Sequence, residues 1–156
     1  MTKERKLDED TISKNCCSLI LSVKPIYADA ILNKQKTVEL RKQFANNTSN
    51  ETRIYIYSTS PIKAIVGFTY IQQLWTLSIK DIWNKFEEKA FISKEQFDKY
   101  FLGKSYGTAL VLGNVKTFSK VIPLEILRKK FAFTPPQSFQ YTKKPLCKLL
   151  QKLPFE

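Results

Sequence analysis

The strand-like runs of this chain are interrupted at irregular intervals by short helical segments, and that irregularity constrains the fold most. "CSLILSVK", "KTVELRKQF", "RIYIYSTSP", "IKAIVGFTYIQQLW" and "YGTALVLGNVKTFSK" are rich in β-branched and aromatic residues and bounded by turn signals. The intervals between them are too uneven for the strand-helix alternation of a parallel α/β sheet. The pattern predicts an α+β chain, a small mixed barrel with a few inserted helices. At 156 residues, 43% of them hydrophobic, it is long enough to bury a core as one domain without staples. Residues 1–15 carry both charge signs with little apolar periodicity and are expected to form a mobile lead-in, leaving residues 16–156 as the domain.

Local signals place the helices. Pro25 suits the first turn of a helix over "PIYADAILNK", where its missing N–H costs nothing, and Asn33 lies near that helix's end. "SIKDIWNKFEEKA" puts Ile79, Ile82, Trp83 and Phe86 on one face. In "SKEQFDKYF", Ser93 and Gln96 have the spacing of a capping box. Pro123 opens a further short helix over "IPLEILRKK". Gly67 is expected to mark a bulge or a close backbone approach, and Gly113 an interruption of its strand.

Some chemistries are excluded at once. The chain has no histidine, which removes His-based metal catalysis and any Ser-His or Cys-His nucleophile. Cys16, Cys17 and Cys147 form neither a zinc spacing nor a disulfide framework, so a reduced, cytoplasmic protein with no metal and no cofactor is expected. No segment has the apolar length of a membrane span, and "MTKERKLDED" is not a signal peptide.

Charge points to a partner. Lys and Arg number 26 against 14 Asp and Glu, a net +12. Nine of those basic residues and two of the acidic ones fall in residues 113–156, interleaved with Phe131, Phe133, Phe139 and Tyr141. Such a distribution suits a polyanion such as nucleic acid, whose phosphates pair with cations and whose bases stack on aromatics, or an anionic membrane face. A solubilising surplus, with the aromatics in the core, accounts for the same composition.

The run from Lys36 to Arg41 is the unusual one. Val38 and Leu40 alternate with Thr37, Glu39 and Arg41. If the apolar side fills a barrel, the charged side should face solvent or line a groove. Glu39 can pair with Arg41 two residues away, Arg41 can fork onto a phosphate, and Glu39 can accept from a base amine. The plainer alternative is an exposed ion pair of little energetic value. Lys24 sits where a strand meets a helix N-terminus. Tyr55 and Tyr57 share a strand face as candidate stacking residues, although packing suits at least one of them better. Ser58, Thr59 and Ser60 offer hydroxyls before Pro61. Gln137, Ser138 and Tyr141 form a polar set in "PPQSFQYT".

Taken in order, three blocks resemble a known family. "LSVKPIYADAILNKQKTVELRKQF" resembles the N-terminal signature of ASCH domains, members of the PUA-like barrels: a strand ending in Lys-Pro, a helix with a tyrosine, then a Lys-Thr-x-Glu-x-Arg strand. "RIYIYSTSPIKAIVGFTYI" and "PPQSFQYT" are similar to later blocks, so the likeness spans roughly residues 18–142. Many relatives carry a Ser-Gly or similar turn where this chain has Asn33-Lys34-Gln35, and Asn33 can take the left-handed conformation.

The resemblance implies a β-barrel whose cleft, near the first helix, faces RNA or a nucleotide. Family members are proposed to bind RNA in transcription and RNA processing. Some are small enzymes, an acetylcytidine amidohydrolase and a ribonuclease among them. Lys36 matches the amidohydrolase lysine and would be catalytic if this chain is an enzyme. The nucleophilic threonine of that pattern falls on Glu39, which weakens the amidohydrolase reading.

The expected function is therefore RNA or nucleotide binding in RNA metabolism or transcription-related regulation, through Lys24, Lys36, Thr37, Glu39, Arg41, Tyr55, Ser58, Ser60, Gln137, Ser138 and Tyr141. The alternatives are a hydrolase of the same fold and a protein adaptor using "KKPLCKLLQK", whose Leu146, Leu149, Leu150 and Leu153 have helical spacing. No membrane partner is expected.

Overall fold

The computed structural model describes residues 17–45 and 48–156. The expected lead-in and Cys16 lie outside them. The element order is β1 (Leu19–Val23), α1 (Pro25–Leu32), β2 (Val38–Arg41), β3 (Arg53–Ser58), β4 (Ala64–Ser78), α2 (Ile79–Phe86), α3 (Lys94–Tyr100), β5 (Tyr106–Pro123), α4 (Leu124–Phe131), β6 (Phe139–Tyr141) and α5 (Lys144–Leu150). The strands form one sheet in the order β2-β5-β4-β3-β1-β6. Only β1 and β3 run parallel; the other pairs are antiparallel. The sheet curls into a half-barrel, with β2 and β6 as its two edges.

Three apolar clusters hold this shape. One is centred on β1, where Leu19, Leu21 and Val23 meet Ile54, Ile56, Leu110 and the buried face of α1. A second lies under α4 and α5, built on Ile20, Tyr55, Tyr57, Phe68 and Phe118. The third lies under α2 and α3, where Val38 and Leu40 of β2 meet Ile82, Phe86, Phe97 and Phe101. Leu146, Leu149, Leu150 and Leu153 pack into the second cluster, so the leucine face of "KKPLCKLLQK" is spent on the fold.

Several local expectations are corrected. β5 runs unbroken through Gly113, and the neighbouring Asn114 takes a left-handed φ of 53° where the ladder with β4 slips register. Asn33 caps α1 at φ −83°, and Lys34 takes the left-handed position at φ 63°. Gly67 lies at a register shift and at a close approach together: a Cβ there would stand 2.3 Å from the Lys116 carbonyl oxygen. Cys147 is disulfide-bonded, where reduced cysteines were expected, and Cys17 is free and exposed. No described helix is long and apolar enough to cross a membrane.

Candidate nucleic-acid interface

The edge strand β2 is covered on both sides, and of the two expected placements its charged row lines a groove rather than facing open solvent. Val38 and Leu40 are taken by the helices α2 and α3. Glu39 and Arg41, on the other face, turn into the mouth of the half-barrel and are buried there, 7% and 8% exposed. Lys36, just before the strand, is 4% exposed.

Arg41 closes the seam between the two sheet edges. Its Nη2 donates to the Ser22 carbonyl oxygen on β1 at 2.8 Å. Nη1 donates to the Ser138 carbonyl oxygen at 3.4 Å and to Ser138 Oγ at 3.2 Å, just ahead of β6. Nε donates to Glu39 Oε1 at 3.1 Å, and Nη2 lies 3.0 Å from the same oxygen. The fork expected to grip a phosphate is therefore engaged inside the protein. Arg41 positions Glu39 and ties the edges together.

Lys36 is the less satisfied cation. Its Nζ donates to the Ala90 carbonyl oxygen, lies 3.5 Å from Glu39 Oε2, and sits over the Tyr27 ring at 5.2 Å. Glu39 Oε2 is buried and accepts no hydrogen bond. Burial pushes the Lys36 amine below the ordinary lysine range and Arg41 adds to that, while Glu39 opposes both. Two cations sharing one carboxylate leave the floor of the site with a surplus positive charge.

Above this floor lies a cleft of about 720 Å³. Lys24, Lys36, Glu39, Arg41 and Gln137 line it. Ser138 reaches it through Arg41. The other expected site residues lie elsewhere. Thr37 is half-buried, its backbone held by Lys89 and Leu112. Tyr55 is fully buried, with its ring stacked on Phe118 and its hydroxyl accepting from Arg53, because its strand face packs beneath α4 and α5. Ser58 is buried in the β3 ladder. Ser60 is exposed in the following turn, while its neighbour Thr59 lines the cleft. Tyr141 is exposed on β6, outside the cleft.

Sequence reasoning missed the wall that α3 supplies. Gln96, Lys99 and Tyr100 line the cleft, opposite the buried Phe97 of the same helix and Phe101, which caps it. The capping box there is only half made. Ser93 Oγ accepts from the Gln96 backbone N–H at 3.2 Å, but the Gln96 side chain turns away and accepts from the Tyr27 hydroxyl at 3.1 Å. The spacing of positions 96, 99 and 100 against 97 and 101 was the available signal. Tyr27 and Tyr100 both have hydroxyls raised above the usual tyrosine range, chiefly by burial, with the Glu39 charge adding to it.

A curled mixed half-barrel with a buried, positively charged site at its seam has the architecture of a PUA-like domain. The chain is 30% identical over 125 residues to an ASCH domain-containing ribonuclease of Zymomonas mobilis, covering 80% of this chain and 84% of that protein. The crystal structure of ASCH from Zymomonas mobilis superposes with a TM-score of 0.82 at 30% identity, over 90% of this chain and 98% of that one. A family model described as a domain of unknown function (DUF365) matches residues 17–129. A stretch of 92 residues is also 33% identical to part of the large ribosomal subunit protein uL22 of Ureaplasma parvum, covering 58% of this chain and 28% of that protein. The chain belongs to the ASCH-domain family.

Proposed function

We propose that the seam cleft binds single-stranded RNA, seating a phosphate against Lys36 with Lys24 and Lys99 at the rim, in the service of RNA metabolism. The observation that carries this reading is the surplus buried charge: two cations and one carboxylate, all more than nine-tenths buried, at the floor of an open cleft. An uncompensated buried cation is costly, and an anionic ligand relieves that cost. Tyr27 and Tyr100 line the same space and offer faces to a base. The 30% identical relative named as a ribonuclease supports RNA as the partner.

The same relative favours a second reading, in which the bound RNA is hydrolysed. Lys36, its amine pushed below the ordinary lysine range by burial, would take the proton of the attacking hydroxyl as the phosphorus–oxygen bond to the departing ribose breaks. It would return that proton to the departing oxygen, with Glu39 orienting the amine.

One experiment tests both. A fluorescent single-stranded RNA is titrated with wild type and with Lys36→Met, and the incubated RNA is then run on a gel. Binding reduced at least tenfold in the variant, with the RNA intact, supports the binding reading. RNA cleaved by wild type alone supports the hydrolytic one. Equal binding by both proteins overturns the assignment of the cleft.

A further inference from the structure

A second groove adjoins the cleft along β1. It measures about 460 Å³ and is walled by Ile20, Phe131, Phe133 and Leu146. Four cations rim it: Arg128, Lys129 and Lys130 at the C-terminal end of α4, and Lys143 ahead of α5. All four are exposed, and none is in an ion pair among the described residues. Glu125, one turn back on α4, is the acidic neighbour.

The two cavities flank the same stretch of β1 and share no lining residue. Ile20 lines the groove and Ser22 the cleft, and both project from one face of β1, roughly 7 Å apart. The segment after α4 makes the same passage, with Thr134 in the groove and Pro136 and Gln137 in the cleft. Ser22 Oγ donates to the Pro136 carbonyl oxygen at 2.6 Å and pins that segment between them.

We infer that this groove holds the stretch of RNA flanking the nucleotide in the cleft, its bases against Phe131 and its phosphates on Arg128, Lys129, Lys130 and Lys143. The inference rests on the cleft's being the RNA site. Unpaired cations beside an aromatic wall match what a flexible polyanion with flat bases presents, and the groove lies one β1 residue pair beyond the cleft, within reach of an adjoining nucleotide.

The test uses Lys129→Gln/Lys130→Gln/Lys143→Gln and two probes, a fluorescent 12-nucleotide RNA and a labelled dinucleotide, across a salt series. Wild type and the cleft variant Lys36→Met are measured alongside. The groove variant is expected to bind the 12-mer at least tenfold more weakly. Its log-log salt slope should be shallower by about two, from three lost phosphate contacts, with dinucleotide binding unchanged. Wild-type affinity and slope for the 12-mer would overturn the inference and leave these cations to solubility or to an acidic protein. Loss of dinucleotide binding in the groove variant would overturn it too, since the groove would then not be a separate flanking site. Failure of the cleft reading reads differently: Lys36→Met would then bind both probes like wild type.

Discussion

Arg41 holds together parts of the sheet that are distant in the chain. One guanidinium joins β2 to the opposite edge of the sheet and fixes Glu39. Its planar fork is not reproduced by an ammonium, so Arg41→Lys is expected to cost about 2 kcal/mol by urea denaturation. The neighbouring exposed Lys42 replaced by alanine should leave the midpoint unchanged, and equal midpoints for the two variants would contradict the seam role. Lys36 makes a separate prediction. Its amine titrates below the ordinary lysine value of 10.5 when folded, so between the two pKa values the unfolded chain holds the extra proton. Its contribution to stability therefore rises with pH through that window. Lysine side-chain NMR should show one resonance titrating ahead of the rest, and bound oligonucleotide should move that midpoint upward. A Lys36 resonance that titrates with the exposed lysines would contradict the burial argument. The residue types of the site were legible in "KTVELR", but the direction of the charged face was not. Alternation splits Val38 and Leu40 from Glu39 and Arg41 without saying that helices claim the apolar side and the barrel mouth the charged side.

At the scale of elements, the strands and helices followed from local signals because those signals are short-range. Pro25 and Pro123 fix helix starts, and β-branched runs fix β1 and β3. What escaped was set by partners distant in the chain. Gln96 leaves its capping box because Tyr27, 69 positions away, offers a hydroxyl. Tyr55 is core because α4 and α5 fold over it. Gly67 lets β4 approach β5 closely, so Gly67→Ala, which drives a methyl into the Lys116 carbonyl and the Leu32 side chain, should destabilise by about 2 kcal/mol or more. An unchanged denaturation midpoint would show that the strands can part. On α3, Tyr100→Ala is expected to weaken RNA binding severalfold while Glu95→Ala, off the cleft, leaves it unaltered; equal affinities would remove α3 from the site.

At the scale of the molecule, the half-barrel leaves a seam, and the chain fills it with charge rather than with a closing ladder. Apolar residues could close that seam more cheaply, since buried ions are costly to desolvate. A buried, only partly neutralised cluster facing an open cleft is the arrangement a site for an anion requires. The measurement that tests this most directly is a backbone amide NMR titration of the protein with a three-nucleotide single-stranded RNA. The account predicts shifts concentrated at residues 22–27, 36–41, 59, 92–100 and 136–138, which together line the cleft. Saturable binding with shifts confined to other surfaces, and none at these residues, would contradict it.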